Sequence, residues 1–264
     1  MMKSQIIASI PTECPWRDTL YWYPTTDSTN TQTKKLAEGG APHGTVVIAA
    51  HQTQGRGRMG RSFHSPKNGG IYLSVLLRPA CPPAQLMHLT CAVGVSMCDA
   101  VESVAGFRPQ IKWINDLIAK NKKLGGILTE LSINPKTGLV DYAIVGIGIN
   151  CLQKAEDFPP QLQDIAISLA TATENAPSLP QMAGAMVSAL WKMDKNLLSQ
   201  KTALMARYRK DCETIGKDVV LLRNDEKRYG TALDVDNDGQ LLVRFQNGQE
   251  QWVNSGEVSC RKAE

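Results

Sequence analysis

The sequence predicts a mixed α+β core followed by a small β-barrel, and three observations carry that reading. Apolar runs rich in β-branched residues, at 45–50 and 71–77, alternate with segments of helical periodicity. Two longer strand-like runs, 124–133 and 139–149, flank Asn134-Pro135-Lys136-Thr137-Gly138, which has the composition of a hairpin turn. From Gly216 onward the texture changes to short strands separated by glycine turns, the pattern of a small appended barrel.

Taken in order, Ser28-Thr29-Asn30 followed by Thr33 to Ala37 and then Gly39-Gly40 reads as a capped helix with a glycine stop. Residues 45–50 form a buried strand. A glycine–arginine run follows, and the strand at 71–77 makes that run a loop between strands. Leu86, Leu89, Val93, Met97 and Val101 recur at helical spacing after Pro82-Pro83, giving an amphipathic helix that covers the sheet. Residues 110–114 form a short strand, and the 124–149 hairpin comes next. Between Pro159-Pro160 and Pro177 the text loosens to a weak helical stretch. Helices are predicted at 179–198 and 202–211. Short strands at 219–222, 230–232, 241–245 and 251–253 are joined by Asp236-Asn237-Asp238-Gly239 and Gln246-Asn247-Gly248. The expected division is 1–212 and 213–264.

At 264 residues, 42% hydrophobic and 20% charged, the chain has the composition of a globular protein with a real core. A net charge of +4 is too weak to make nucleic acid the main partner. Seven cysteines without a C-x-x-C pair fit reduced thiols better than a disulfide frame or a zinc site. No basic start leads into a long apolar run, and no stretch approaches 18 continuous apolar residues. The expected location is the cytoplasm, with no membrane partner.

The most informative segment is Gly55-Arg56-Gly57-Arg58-Met59-Gly60-Arg61. Glycine lets backbone approach a ligand, and arginine supplies a permanent charge with a fork of donors. Together they suit a flexible clamp on phosphate, although a solvated basic loop has the same composition. The match to the dinucleotide fingerprint is rejected, because a strand rather than a helix follows it. Lys112-Trp113-Ile114-Asn115-Asp116 could meet a nucleotide, and Asn115-Asp116 is as easily a turn. Lys123, just before a strand opening with Gly125-Gly126, could lie along a bound carboxylate or phosphate, while Lys120 and Lys122 read as solvated charges. Gly146 and Gly148 strip side chains from one strand face, which serves either a flat ligand or a packed helix. The four histidines form no metal or triad spacing.

In this order, Asp27-Ser28-Thr29-Asn30, Gln52 with Gly55 to Arg61, Lys112 to Asp116, Lys123 to Leu128 and Gly146 to Asn150 resemble the motifs of the biotin protein ligases. The family pattern is DSTN, Gln with GRGRxGR, KWPND, K-[LI]-x-G-[IV]-L and G-x-G-I-N. Ile114 replaces its proline, and Phe63 stands where tryptophan or another aromatic is usual. The resemblance implies a mainly antiparallel sheet with covering helices, a class II synthetase-like biotin/lipoate ligase catalytic domain, and an SH3-like C-terminal barrel. It implies an ATP-dependent carbon–nitrogen ligase that forms biotinyl-5′-AMP and transfers biotin to a lysine of a biotin carboxyl carrier protein. Ser28, Thr29, Asn30, Gln52 and 126–128 would then hold biotin, with Gly146 and Gly148 as the floor. Lys123 would bridge the biotin carboxylate and the α-phosphate, and Arg56 and Arg58, flanked by Gly55 and Gly57, would close over the adenylate. Lys112, Asn115 and Asp116 would sit by the nucleotide, with Asp116 as a Mg²⁺ contact. Some family members carry an operator-binding domain; only 26 residues precede Asp27 here, so no operator DNA is expected. Monomer and homodimer both stay open. A lipoate or octanoate ligase, and a non-catalytic RNA- or protein-binding module, are the competing readings.

Overall fold

The computed structural model describes residues 2–223, 226–254 and 257–260. The elements in chain order are α1 (Met2–Ala8), β1 (Leu20–Tyr23), α2 (Thr29–Glu38), β2 (Thr45–Ala49), β3 (Gly70–Leu77), α3 (Leu89–Ala105), β4 (Gln110–Lys112), β5 (Asp116–Ala119), β6 (Lys122–Ile133), β7 (Val140–Asn150), α4 (Leu169–Ala172), α5 (Leu179–Asn196) and α6 (Lys201–Asp211). They continue with β8 (Asp218–Arg223), β9 (Glu226–Val235), β10 (Leu241–Phe245), β11 (Glu250–Val253) and β12 (Glu257–Cys260).

Seven strands form one sheet in the order β1-β2-β3-β7-β6-β5-β4. Only β1 and β2 run parallel; the other pairs are antiparallel. The fold is therefore the mainly antiparallel α+β architecture expected. Residues opposite one another in a ladder point to the same face, so the register sorts the side chains. Ile48, Leu73, Ile147 and Ile127 form one row; Val46, Val75 and Val145 belong to another. These apolar rows pack under α3 and α5 in a single large core. The stretch Pro83–Ala105 is long and apolar enough to cross a membrane, but most of it is buried in this core. On the opposite face α2 lies against the sheet, where Ala37 meets Leu76, Tyr142 and Ile144.

The C-terminal strands form a second, antiparallel sheet in the order β11-β10-β9-β8-β12. Its inward residues, including Val219, Leu221, Leu241 and Val243, join the same apolar cluster as the seven-stranded sheet. The Asp236–Gly239 turn is seated on the first sheet: the indole N–H of Trp113 donates to the Gly239 carbonyl at 2.8 Å.

Several expected elements differ in detail. Strands β1, β5 and β12 were not foreseen, and the short strand at 110–114 ends at Lys112 so that the chain can turn into β5. The weak helical stretch after Pro160 contracts to the single turn of α4. Lys120 and Lys122 are not merely solvated, because their ammonium groups donate to the carbonyls of Thr171 (3.3 Å) and Gln163 (3.0 Å).

Candidate active site

Beside α2, the second face of the large sheet is left open under the 55–63 loop. Two cross-strand rows define it: Asp116, Gly126, Gly148 and Tyr72 in one, Leu128, Gly146 and Ser74 in the other. The resulting cavity measures about 160 Å³. It is lined by Ser28, Thr29, Asn30, Gln52, Arg56, Gly57, Arg58, Lys112, Asn115, Asp116, Lys123, Gly126, Gly146 and Gly148, which are all but one of the residues singled out from the sequence.

The exception is Gly55, which does not line the cavity. A side chain there would strike the Phe63 carbonyl and the Ser65 hydroxyl, so this glycine lets the loop close on itself.

One end of the cavity is built by the first turn of α2. Ser28 holds the N-cap position with extended backbone (φ −153°, ψ 138°), yet its side chain makes no capping bond. Asp27 supports this start instead, accepting from the Ser28 N–H (2.6 Å), Gln32 Nε2 (2.7 Å) and the Thr26 hydroxyl (3.0 Å). Burial would raise the Asp27 pKa, but these donors hold it below the ordinary carboxylate value. Gln52 Oε1 accepts from the Thr29 N–H at 2.8 Å and from the Thr29 hydroxyl at 3.1 Å. Asn30 donates to Glu130 Oε2 at 2.7 Å, and its Oδ1 accepts from the buried Ser74 hydroxyl at 2.6 Å.

The arginine–glycine run is more ordered than the flexible clamp its composition suggests. Gly57 N–H donates to the Arg61 carbonyl (2.7 Å), Phe63 N–H donates to the Gly55 carbonyl (2.8 Å), and Arg56 bridges Ser62. The turn is made through left-handed backbone at Met59 (φ 55°) and Gly60 (φ 74°). The two inner arginines leave the hairpin in different directions. Arg56 pairs with Glu130 at 2.8 Å, and Arg58 donates to Asn115 Oδ1 at 3.0 Å.

The other end is built by β4, β5 and β6. The register between β5 and β6 shifts between Leu117 and Ile118, so that Asp116 faces Gly126 while Ile118 faces Lys123. Without this bulge the period of two would send Lys123 and Gly126 to opposite faces. With it, the Lys123 ammonium reaches Asp116 Oδ1 at 2.7 Å. Lys123 thus belongs to the strand rather than to the loop before it. Asn115 is likewise more than a turn residue. Its Nδ2 donates to the Ile127 carbonyl at 3.0 Å while its own carbonyl accepts from the Ile127 N–H at 2.9 Å.

The expected bare glycine floor requires correction. A Cβ on Gly146 would collide with the Asn30 amide, and one on Gly148 with the Phe63 ring. Gly146 and Gly148 line the cavity and also make room for these two side chains.

Met59, Arg61, Ser62, Phe63, Trp113, Ile127, Leu128 and Ile147 also line the cavity. Arg61 was visible in the loop, but Met59, Ser62 and Trp113 gave no signal apart from motif proximity. Among the described residues, five cationic side chains and one carboxylate, Asp116, line the cavity, so the site is suited to anions. Among the described residues no three His, Cys, Asp or Glu side chains cluster as metal ligands.

Both sheets have counterparts among known proteins. Residues 22–150 match the biotin/lipoate A/B protein ligase family, and residues 214–261 match the biotin protein ligase C terminal domain. The chain is 33% identical to the bifunctional ligase/repressor BirA of Bacillus spizizenii over 249 residues, covering 94% of this chain and 76% of that protein. It is 32% identical to the biotin–[acetyl-CoA-carboxylase] ligase of Mycobacterium tuberculosis over 242 residues, covering 88% and 85%. The solved biotin protein ligase of Aquifex aeolicus in complex with biotin and ATP superposes with a TM-score of 0.77 at 29% identity, over 93% of this chain and 99% of that one. A matched catalytic sheet, a matched C-terminal sheet and relatives above 30% identity, covered over 76% and 85% of their own length, lead to one conclusion: this chain is an enzyme of the biotin protein ligase family.

Proposed function

We propose that this ligase joins biotin to a lysine of a biotin carboxyl carrier protein in two steps. The biotin carboxylate attacks the α-phosphorus of ATP, pyrophosphate leaves, and biotinyl-5′-AMP remains. The acceptor lysine amine then attacks the mixed anhydride and AMP leaves. Neither step needs a protein nucleophile. The protein's task is to hold two anions in contact and to offset the charge gathering on phosphorus.

The observation that carries this reading is the convergence of Arg58 and Lys123 on one cavity with Lys112, Asn115 and Asp116. Lys123 is the bridge between carboxylate and α-phosphate, and its ion pair with Asp116 keeps the ammonium in place. Arg58, tied to Asn115, closes the loop over the adenylate and keeps water from the anhydride. Arg56 closes the same loop at the other side. Ser28, Thr29, Asn30 and Gln52 hold the ureido end of biotin, and 126–128 run beside its ring and chain. Gly57 lets the loop backbone approach. Lys112 takes the nucleotide phosphates.

Mg²⁺ would be held on the protein side by Asp116 and would offset the charge of those phosphates. The donor set fits that mode of binding, because among the described residues Asp116 is the sole carboxylate lining the cavity and Mg²⁺ is commonly held by one or two carboxylates plus substrate phosphates. We assign residues 1–212 to catalysis and 213–264 to the SH3-like domain. The cytoplasm is the assigned compartment, supported by the free, buried thiols of Cys14, Cys81, Cys91, Cys98, Cys151 and Cys212.

The test is incubation with ATP, Mg²⁺ and biotin, with and without a biotin carboxyl carrier domain. Biotinyl-AMP should form in both, and the carrier should gain the mass of one biotin on a single lysine. Adenylation of lipoate or octanoate in preference to biotin would redirect the reading, and no adenylate of any acid would end it.

A further inference from the structure

Glu130 lies two residues beyond the Lys123–Leu128 motif, on the open face of the sheet, and three parts of the site meet at its carboxylate. Arg56 donates to both oxygens, Nη2 to Oε1 at 2.8 Å and Nη1 to Oε2 at 3.3 Å. Asn30 Nδ2 donates to Oε2 at 2.7 Å. From Asn30 the connections continue inward. Its Oδ1 lies 2.6 Å from the Ser74 hydroxyl, which lies 2.7 Å from the Thr29 hydroxyl. Thr29 reaches Gln52 Oε1, Gln52 Nε2 donates to the Ser65 hydroxyl at 2.9 Å, and Ser65 donates to the Phe63 carbonyl at 3.0 Å. The chain of bonds thus leaves the 55–63 loop at Arg56 and returns to it at Phe63, passing through Asn30, Thr29 and Gln52.

A side-chain amide can present either its carbonyl or its amino group, whereas an ionised carboxylate only accepts. Asn30 can satisfy Glu130 only with its amino group, which turns its carbonyl toward Ser74. A fixed orientation at one member constrains its neighbours along a buried network. We infer that Glu130 is a positioning residue: through Asn30 it fixes the donor–acceptor polarity of the ureido end, and through Arg56 it fixes the closed position of the loop. This rests on the ligase reading above. The Arg56–Glu130 pair is half exposed, with side-chain accessibilities of 47% and 33%, so its own contribution to stability is small. Its effect belongs to geometry rather than to folding.

The test uses the full chain and the biotin-dependent exchange of pyrophosphate into ATP, with free biotinyl-AMP measured alongside. Glu130→Gln keeps the shape and removes the charge, leaving one acceptor for two sets of donors. The expected result is a rise of about tenfold in KM for biotin, the size of one charged hydrogen bond lost. Release of free adenylate should also rise, while KM for ATP and the melting temperature stay unchanged. Glu130→Asp, which keeps the charge, should restore part of both properties. Ser74→Ala removes the donor at the far side of Asn30 and should move KM for biotin in the same direction. Unchanged biotin KM and adenylate release in Glu130→Gln would overturn the inference. Equal losses in the Gln and Asp variants with a lowered melting temperature would also overturn it, by showing a structural role. A wild-type protein without any exchange would instead overturn the ligase reading beneath it.

Discussion

At Gly146 the strand has no room for even one methyl group, because the Asn30 amide occupies that space. Gly146→Ala must therefore push Asn30 away from Ser74 and Glu130. The account predicts at least about a tenfold loss of biotin affinity by calorimetry, from one broken buried hydrogen bond. Wild-type affinity in that variant would show that Asn30 is not needed where it lies. The alternate glycines were legible as a feature needing explanation, but what they make room for was not. Asn30 and Gly146 are far apart in sequence, and no local pattern records which side chain crosses that distance. Glu130 was hidden for the same reason. It follows a recognisable motif, yet its partners Arg56 and Asn30 lie in two other elements.

The elements that build the site are a hairpin loop, a helix start and a bulged strand. The loop is held on one side by an ion pair and on the other by the bond from Arg58 to Asn115. Removing the second attachment should loosen the nucleotide side. Arg58→Gly is predicted to release biotinyl-AMP into solution, where it labels lysines of unrelated proteins; mass spectrometry of a mixed-protein reaction reads this directly. Labelling confined to the carrier domain would remove the closing role from Arg58. The loop and its flanking strands were readable because long β-branched runs bracket a run of glycine and arginine. The β5 strand was not, since four residues entered from an Asn-Asp pair look like the end of a turn. Nor was the bulge that turns Lys123 toward Asp116, because an extra residue in one strand appears only against its partner.

Across the whole molecule, one apolar cluster runs from the catalytic sheet into the C-terminal sheet, and buried polar contacts tie its helices together. His88, at the N-terminal end of α3, is fully buried, and its Nε2 lies 2.8 Å from the Leu197 carbonyl beyond α5. With Nε2–H donating, Nδ1 has no partner among the described residues. Burial holds the His88 pKa below its ordinary 6.5, and the same cause lowers His64. The folded state thus favours the neutral rings, and the unfolded chain takes up protons first as the pH falls. The contribution of these two rings to stability should be constant above the ordinary value of 6.5 and decline below it. His88→Gln should flatten part of that decline, as read from denaturant midpoints between neutrality and about pH 5. An unchanged slope would show that His88 is not buried neutral. The fold class was legible from strand and helix periodicity, but the seating of the C-terminal turn on Trp113 was not. It depends on a single indole donor meeting a carbonyl 126 residues away.

The central claim is that Lys123, aimed by the bulge into the cavity it shares with Arg58, brings the carboxylate and the α-phosphate together. Biotin-dependent exchange of labelled pyrophosphate into ATP by Lys123→Ala tests it most directly, with circular dichroism to confirm the fold. The account predicts a folded protein whose exchange is abolished. Exchange at the wild-type rate would contradict it.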